Sequence, residues 1–133
     1  MKKFEFLSHT ADQKFKIYGK NLKELIINSL LALKSFFKPK LTKSKIEKEI
    51  KIKNEKTEIL LIDFLSEVLA QTYIEKAIFT DFQEKNLNAK LIEGKILGFY
   101  FIKLTKDIKA ITYHQAKIEK INNLFTFEFI VDI

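Results

Sequence analysis

Two acidic segments could do chemistry in this chain: His9-Thr10-Ala11-Asp12 near its start, and Val131-Asp132-Ile133 as its last three residues. The second sets a side-chain carboxylate one residue from the α-carboxylate expected at Ile133. If the two ends meet, three oxygen-rich groups converge where folding alone does not require them. Carboxylates held together repel unless a cation lies between them, and a hard cation such as Ca²⁺ takes about 6–8 oxygens at roughly 2.3–2.6 Å. His9 reads as a loop-fixing, hydrogen-bonding residue, because oxygen sites for hard cations seldom recruit imidazole.

Other chemistries find little support. With no cysteine in its 133 residues, the chain has no disulfide, thiolate zinc site or cysteine nucleophile. Ser8 and His9 are neighbours in sequence, which does not converge a nucleophile on its base. The three glycines, Gly19, Gly94 and Gly98, are isolated and form no phosphate-cradling loop. Metal-assisted hydrolysis by Asp12 and Asp132, with a cation activating water, stands as a rival reading for which no activity is expected.

The formal charge of +7 raises the question of nucleic acid. All 24 basic residues are lysine, so no arginine fork is present for phosphate or guanine. The densest lysine stretch, Lys38 to Lys56, is interleaved with Glu47, Glu49 and Glu55. The charge therefore reads first as a solvated surface. A basic module acting directly on tRNA or structured RNA, with salt-sensitive affinity, is the second reading. DNA is not an expected partner.

The elements that must position the acidic ends follow from periodicity. Phe4 to Leu7 and Phe15 to Tyr18 read as strands flanking the His9–Asp12 loop. Asn21 can cap a helix over about 22–37, with Glu24 reaching back to the cap's own amide; Leu22, Ile26, Leu30, Leu33 and Phe37 form its apolar stripe, and Pro39 ends it. Ser44 to Lys53 alternates as an edge strand guarded by lysines. A second helix over about 57–76 buries Leu60, Leu61, Leu65, Val68 and Leu69, and aligns Asp63, Glu67 and Gln71 on one polar stripe. That stripe is either a wet face or a surface turned toward a partner, which makes Glu67 a candidate partner-facing acid.

Ile78 to Glu93 reads as one long strand or two shorter ones, with Gly94 and Gly98 punctuating a loop beyond. Ile108 to Ile121 and Leu124 to Asp132 follow, joined by Asn122-Asn123 as a two-residue hairpin, since asparagine tolerates positive φ. That register sets Tyr113 opposite Asp132 and puts Lys109, Ile111 and Tyr113 on the face of Asp132. Lys109 is then a candidate to neutralise the acidic site or to meet a phosphate, while His114 points the other way and is structural. The whole predicts a single α+β domain over 1–133, with a mostly antiparallel or mixed sheet and two main helices packed on it. No apolar run approaches the roughly 18 residues needed to span a bilayer, and no leader opens the chain, so a soluble cytoplasmic protein without a membrane partner is expected.

These segments, in this order, resemble the archease family. The resemblance rests on Phe6 with Ser8-His9-Thr10-Ala11-Asp12, Tyr18-Gly19, Leu22 and Leu25 with Ala32-Leu33, and Leu61, Phe64, Leu65 and Glu67. It continues with Ile108-Lys109-Ala110-Ile111-Thr112-Tyr113-His114 and Phe129-Ile130-Val131-Asp132-Ile133. It covers nearly the whole chain. It implies a non-catalytic accessory to the RNA ligase that joins ends bearing a 2′,3′-cyclic phosphate or a 3′-phosphate in tRNA splicing or RNA repair. Such a protein promotes guanylylation and repeated turnover of the ligase, and meets RNA only through it. The resemblance also implies a metal site of Asp12, Asp132 and a main-chain or terminal oxygen of Ile133, filled by a divalent cation, Ca²⁺ being the expected one.

Overall fold

The first helix begins where its sequence context predicts. The Asn21 side chain accepts from the Glu24 amide at 2.9 Å, satisfying one of the donors that a helix start leaves unpaired. Glu24 reaches back in turn, but to the amide of Lys20 at 3.1 Å, one residue before the cap. Helix α1 (Leu22–Phe37) ends at Lys38, which turns left-handed at φ 47° and donates its amide to the Lys34 carbonyl.

The computed structural model describes residues 2–8 and 12–133. Around α1 stand β1 (Phe4–Ser8), β2 (Gln13–Gly19), β3 (Lys40–Lys53), α2 (Thr57–Glu75), β4 (Ala77–Asn88), β5 (Leu91–Lys103), β6 (Ala110–Ile121) and β7 (Leu124–Asp132). The architecture is α+β. The strands divide into two antiparallel sheets where the sequence suggested one: β1-β2-β7-β6, and β3-β5-β4. The helices lie against both sheets, α1 on β2 and β4, α2 chiefly on β6 and on the second sheet. That explains why α2 buries Ile62, Phe64 and Thr72 beside the expected Leu60, Leu61, Leu65, Val68 and Leu69. A helix covered on two sides needs apolar residues nearly all round. Phe15, Phe127 and Phe129 supply the facing layer of the first sheet, with ring centroids 5.0–5.2 Å apart from Phe129. Among the described residues no helix is long and apolar enough to cross a membrane.

Three sequence expectations change. Gly94 and Gly98 lie inside β5, not in a loop, because β4 carries irregularities between Phe79 and Asp81 and between Glu84 and Asn86 that crowd its backbone onto them. β3 begins at Lys40, earlier than Ser44, and is the edge strand expected. The register of β6 also differs. Asn122 does turn left-handed at φ 58° between the paired Ile121 and Leu124, so the hairpin forms. Between Thr112 and Lys117, however, the register shifts, and Gln115 adopts φ 58°. Beyond that irregularity Ala110, not Tyr113, pairs with Asp132.

On the solvent side of the first sheet, Glu128 sits with its side chain only 10% exposed, 3.1 Å from Lys14 Nζ and 3.3 Å from Lys117 Nζ. Burial pushes its carboxyl up, but the hydrogen bonds and charges of Lys14 and Lys117 outweigh that and hold it below the ordinary 4.5. A carboxylate lowered on folding stabilises above its unfolded value and loses that contribution as pH falls through its folded value. Glu128→Gln is therefore expected to cost on the order of 1–3 kcal/mol at pH 7. Urea unfolding at stepped pH should show the gap to the unsubstituted protein closing below about pH 4.5.

Candidate functional site at an acidic sheet edge

β2 and β7 are neighbours in the middle of the first sheet, and their last pair at this end is Gln13 with Val131. Continuing that antiparallel register by one residue sets Asp12 across from Asp132. Residues directly opposed in such a register have Cα atoms about 4.5–5.5 Å apart and side chains on one face. The hairpin that delivers Asp12 is pinned by Ser8 pairing with Gln13 and by the Gln13 side chain, which donates from Nε2 to the Leu7 carbonyl at 2.8 Å. On the other flank the Lys109 amide donates to the Asp132 carbonyl at 2.7 Å, securing the end of β7. Asp12 is half-buried, and Asp132 and Ile133 are exposed.

The alternation of β7 turns Phe127, Phe129 and Val131 toward the helices and puts Asp132 on the opposite face with Glu128 and Ile130, both buried, so that of these three only Asp132 is exposed. Ala110 and Thr112 share that face through their pairing with Asp132 and Ile130. The expected placement of Lys109, Ile111 and Tyr113 beside the Asp132 side chain is thus corrected. Ile111 is buried opposite Val131, and the Tyr113 hydroxyl donates to Asp63 of α2. That bond holds the phenol proton, so the Tyr113 hydroxyl titrates above its usual value. Lys109 approaches the site from the helix side. With Gln13, Phe36, Lys106, Asp107 and Ile133 it lines a concavity of about 500 Å³.

Of the sequence candidates, Ile133 and Lys109 line this concavity, the Lys109 amide holds the Asp132 carbonyl, and Asp12 adjoins Gln13 at the start of β2. His9 lies outside the described residues. Glu67 is not part of this edge: it accepts from Gln71 Nε2 at 2.9 Å, one turn along α2. Gln13, Lys106 and Asp107 were not singled out from sequence. Gln13 was legible as the neighbour of Asp12; the other two sit in the 104–109 connection, whose path only the fold reveals. Among the described residues no cluster of three or more His, Asp or Glu side chains forms a cage. Asp12, Asp132 and the Ile133 main chain offer oxygen groups, the kind that hard cations prefer.

Two β-sheets enclosing a helical pair, with the start of β2 paired to the end of β7, define an α+β class. The archease protein family matches this chain over residues 4–133, and the chain belongs to it. The archease of Sulfurisphaera tokodaii is 36% identical over 145 residues, spanning 100% of both chains. That of Methanosarcina barkeri is 32% identical over 141 residues, covering 99% of this chain and 97% of the relative. The solution structure of protein 1598 from Methanobacterium thermoautotrophicum superposes with a TM-score of 0.75 at 25% identity over 100% of both chains. The crystal structure of a Thermotoga maritima archease, described as a possible chaperone, has the same fold, with a TM-score of 0.74 at 22% identity over 96% of this chain and 94% of that one.

Proposed function

We propose that this archease is a non-catalytic accessory of an RNA ligase that seals 3′-phosphate or 2′,3′-cyclic-phosphate ends, and that it promotes the ligase's guanylylation and repeated turnover. Asp12, Asp132 and a main-chain oxygen of Ile133 would hold a divalent cation, with Ca²⁺ first among candidates. The observation that supports the reading is the β2–β7 register, whose last pair, Gln13 with Val131, lies one residue from Asp12 and from Asp132. When bound, the ion neutralises the paired carboxylates and offers a Lewis-acidic point to phosphate oxygens. The chain's own residues would position it: Gln13 ties the start of β2 to Leu7 of β1, and the Lys109 amide fixes the end of β7.

An accessory role agrees with how the glycines are used. Gly94 and Gly98 serve strand packing, and Gly19 packs against the start of α1, so none is available to cradle a nucleotide. Adding the protein to purified cognate ligase, GTP, a 3′-phosphate RNA and Ca²⁺ is expected to raise multiple-turnover ligation at least tenfold, in the manner of a factor that resets its partner. Unchanged turnover would reject the proposal. Hydrolysis of phosphomonoesters or phosphodiesters by the protein alone would favour the metal-assisted hydrolase reading instead.

A further inference from the structure

One pole of the molecule collects lysines that form no ion pair among the described residues. The C-termini of both helices, the start of β3, the end of β5 and the 104–109 connection converge there. Thr105 and Lys106 donate their amides to the Phe37 carbonyl at 3.0 and 3.2 Å, and Phe101 donates to the Lys76 carbonyl at 2.8 Å. Lys40 pairs with Lys103 across the sheet. The Tyr73 hydroxyl donates to the Ile108 carbonyl at 2.9 Å and accepts from the Ile108 amide at 2.9 Å.

This convergence exposes Lys38, Lys40, Lys76, Lys103, Lys106 and Lys109 together. None of the six forms an ion pair among the described residues. At the opposite pole more of the lysines are paired: where α2 starts against the β4–β5 turn, Lys90 pairs with Glu55, Lys51 with Glu93, and Lys23 with Glu84. Against the six cations of the lysine pole the 104–109 connection sets one carboxylate, Asp107, exposed between Lys106 and Lys109. Two exposed aliphatic side chains adjoin these lysines along the chain, Ile74 at 69% exposure two residues before Lys76 and Ile102 at 63% next to Lys103.

The composition of the patch identifies the kind of partner. Nucleic acid is gripped by arginine forks and by aromatic rings on which bases stack. Here there is no arginine, the Tyr73 hydroxyl is engaged by the backbone, and its ring meets Phe37 edge-on. Exposed isoleucines beside lysines suit a protein surface that pairs apolar contact with acidic groups, where the charges steer approach and the apolar contact holds. The pole is also continuous with the acidic edge, since Phe36, Lys106, Lys109 and Ile133 line one concavity.

Resting on the ligase reading above, we infer that this lysine–isoleucine pole is the docking face for the RNA ligase, which meets it with an apolar spot rimmed by carboxylates. A partner seated there lies against the edge carrying Asp12 and Asp132. Lys76→Glu/Lys103→Glu and, separately, Ile102→Asp should each weaken binding to purified ligase at least tenfold. The double variant should also flatten the salt dependence of that binding. Lys85→Glu/Lys90→Glu at the other pole should change it twofold or less, and Ca²⁺ affinity should stay within twofold in all three. Thermal unfolding confirms that each variant is folded, and the single Ile102→Asp carries the test if the double does not fold. Ligase binding unmoved by the pole variants overturns the docking face while leaving the metal-edge reading intact. The same holds if they weaken only the binding of a stem–loop RNA. A wild-type protein that neither binds the ligase nor stimulates it overturns the underlying reading instead.

Discussion

Gly98→Ala is expected to destabilise the protein by about 3 kcal/mol, near the upper end of what overpacking costs. For a chain of this size that corresponds to a fall in Tm of roughly 10 °C. A Cβ built on Gly98 would lie 1.9 Å from the Ile78 carbonyl oxygen, 2.7 Å from its carbonyl carbon and 2.8 Å from Phe79 Cα. All three are main-chain atoms of β4, which no rotamer change can move. The requirement is space, since no glycine in the described chain has positive φ. It arises because the register of β4 slips between Phe79 and Asp81 just across from Gly98. Gly94 repeats the arrangement at the second irregularity, where its Cβ would come 2.1 Å from the Gln83 oxygen, so Gly94→Ala should cost a similar amount. Gly19→Ala, with a nearest approach of 2.9 Å, should cost less. Thermal and urea unfolding of the three variants gives the order, and equal stability of Gly98→Ala and wild type would show that β4 yields where this packing says it cannot.

Those glycines mark the boundary of what the sequence discloses. Periodicity finds an element whenever local chemistry and tertiary role agree. Asn21 caps α1, the lysine-guarded alternation of β3 does lie at a sheet edge, and Asn122 turns left-handed between β6 and β7. Gly94 and Gly98 were misread because two glycines four residues apart look like loop punctuation; only the irregularities of a different strand explain them. The Asp132 partner was misassigned for the same reason. Counting back from the Asn122 turn gives Tyr113, and the slip between Thr112 and Lys117 moves the pairing to Ala110. Gln115, which adopts φ 58° there, carries no glycine signature to announce it. For the candidate site, the acidic ends were legible as residue types. The lysine pole was not, because its members come from segments scattered between Lys38 and Lys109 that only the topology collects.

Asp132→Asn is expected to lower divalent-cation affinity by at least tenfold and to reduce ligase stimulation in step, while Tm stays within a few degrees of wild type. Asparagine keeps the shape and one acceptor oxygen but removes the charge, and cation affinity in oxygen sites follows the count of anionic ligands. The fold should tolerate the change because Asp132 is exposed at the end of β7. Its structural contribution is its main-chain carbonyl, which accepts from Lys109 and is retained in the variant. Asp12→Asn should behave alike if the β2–β7 register places both carboxylates on one ion. The double variant should then be little worse than either single one, since residues acting as a unit are not additive. Isothermal titration with Ca²⁺ and with Mg²⁺ measures the affinities, and stimulation of the ligase is read on the same preparations. Additive losses in the double variant would mean that the two carboxylates act at separate places, and wild-type cation affinity in Asp132→Asn would remove the metal edge from the proposal.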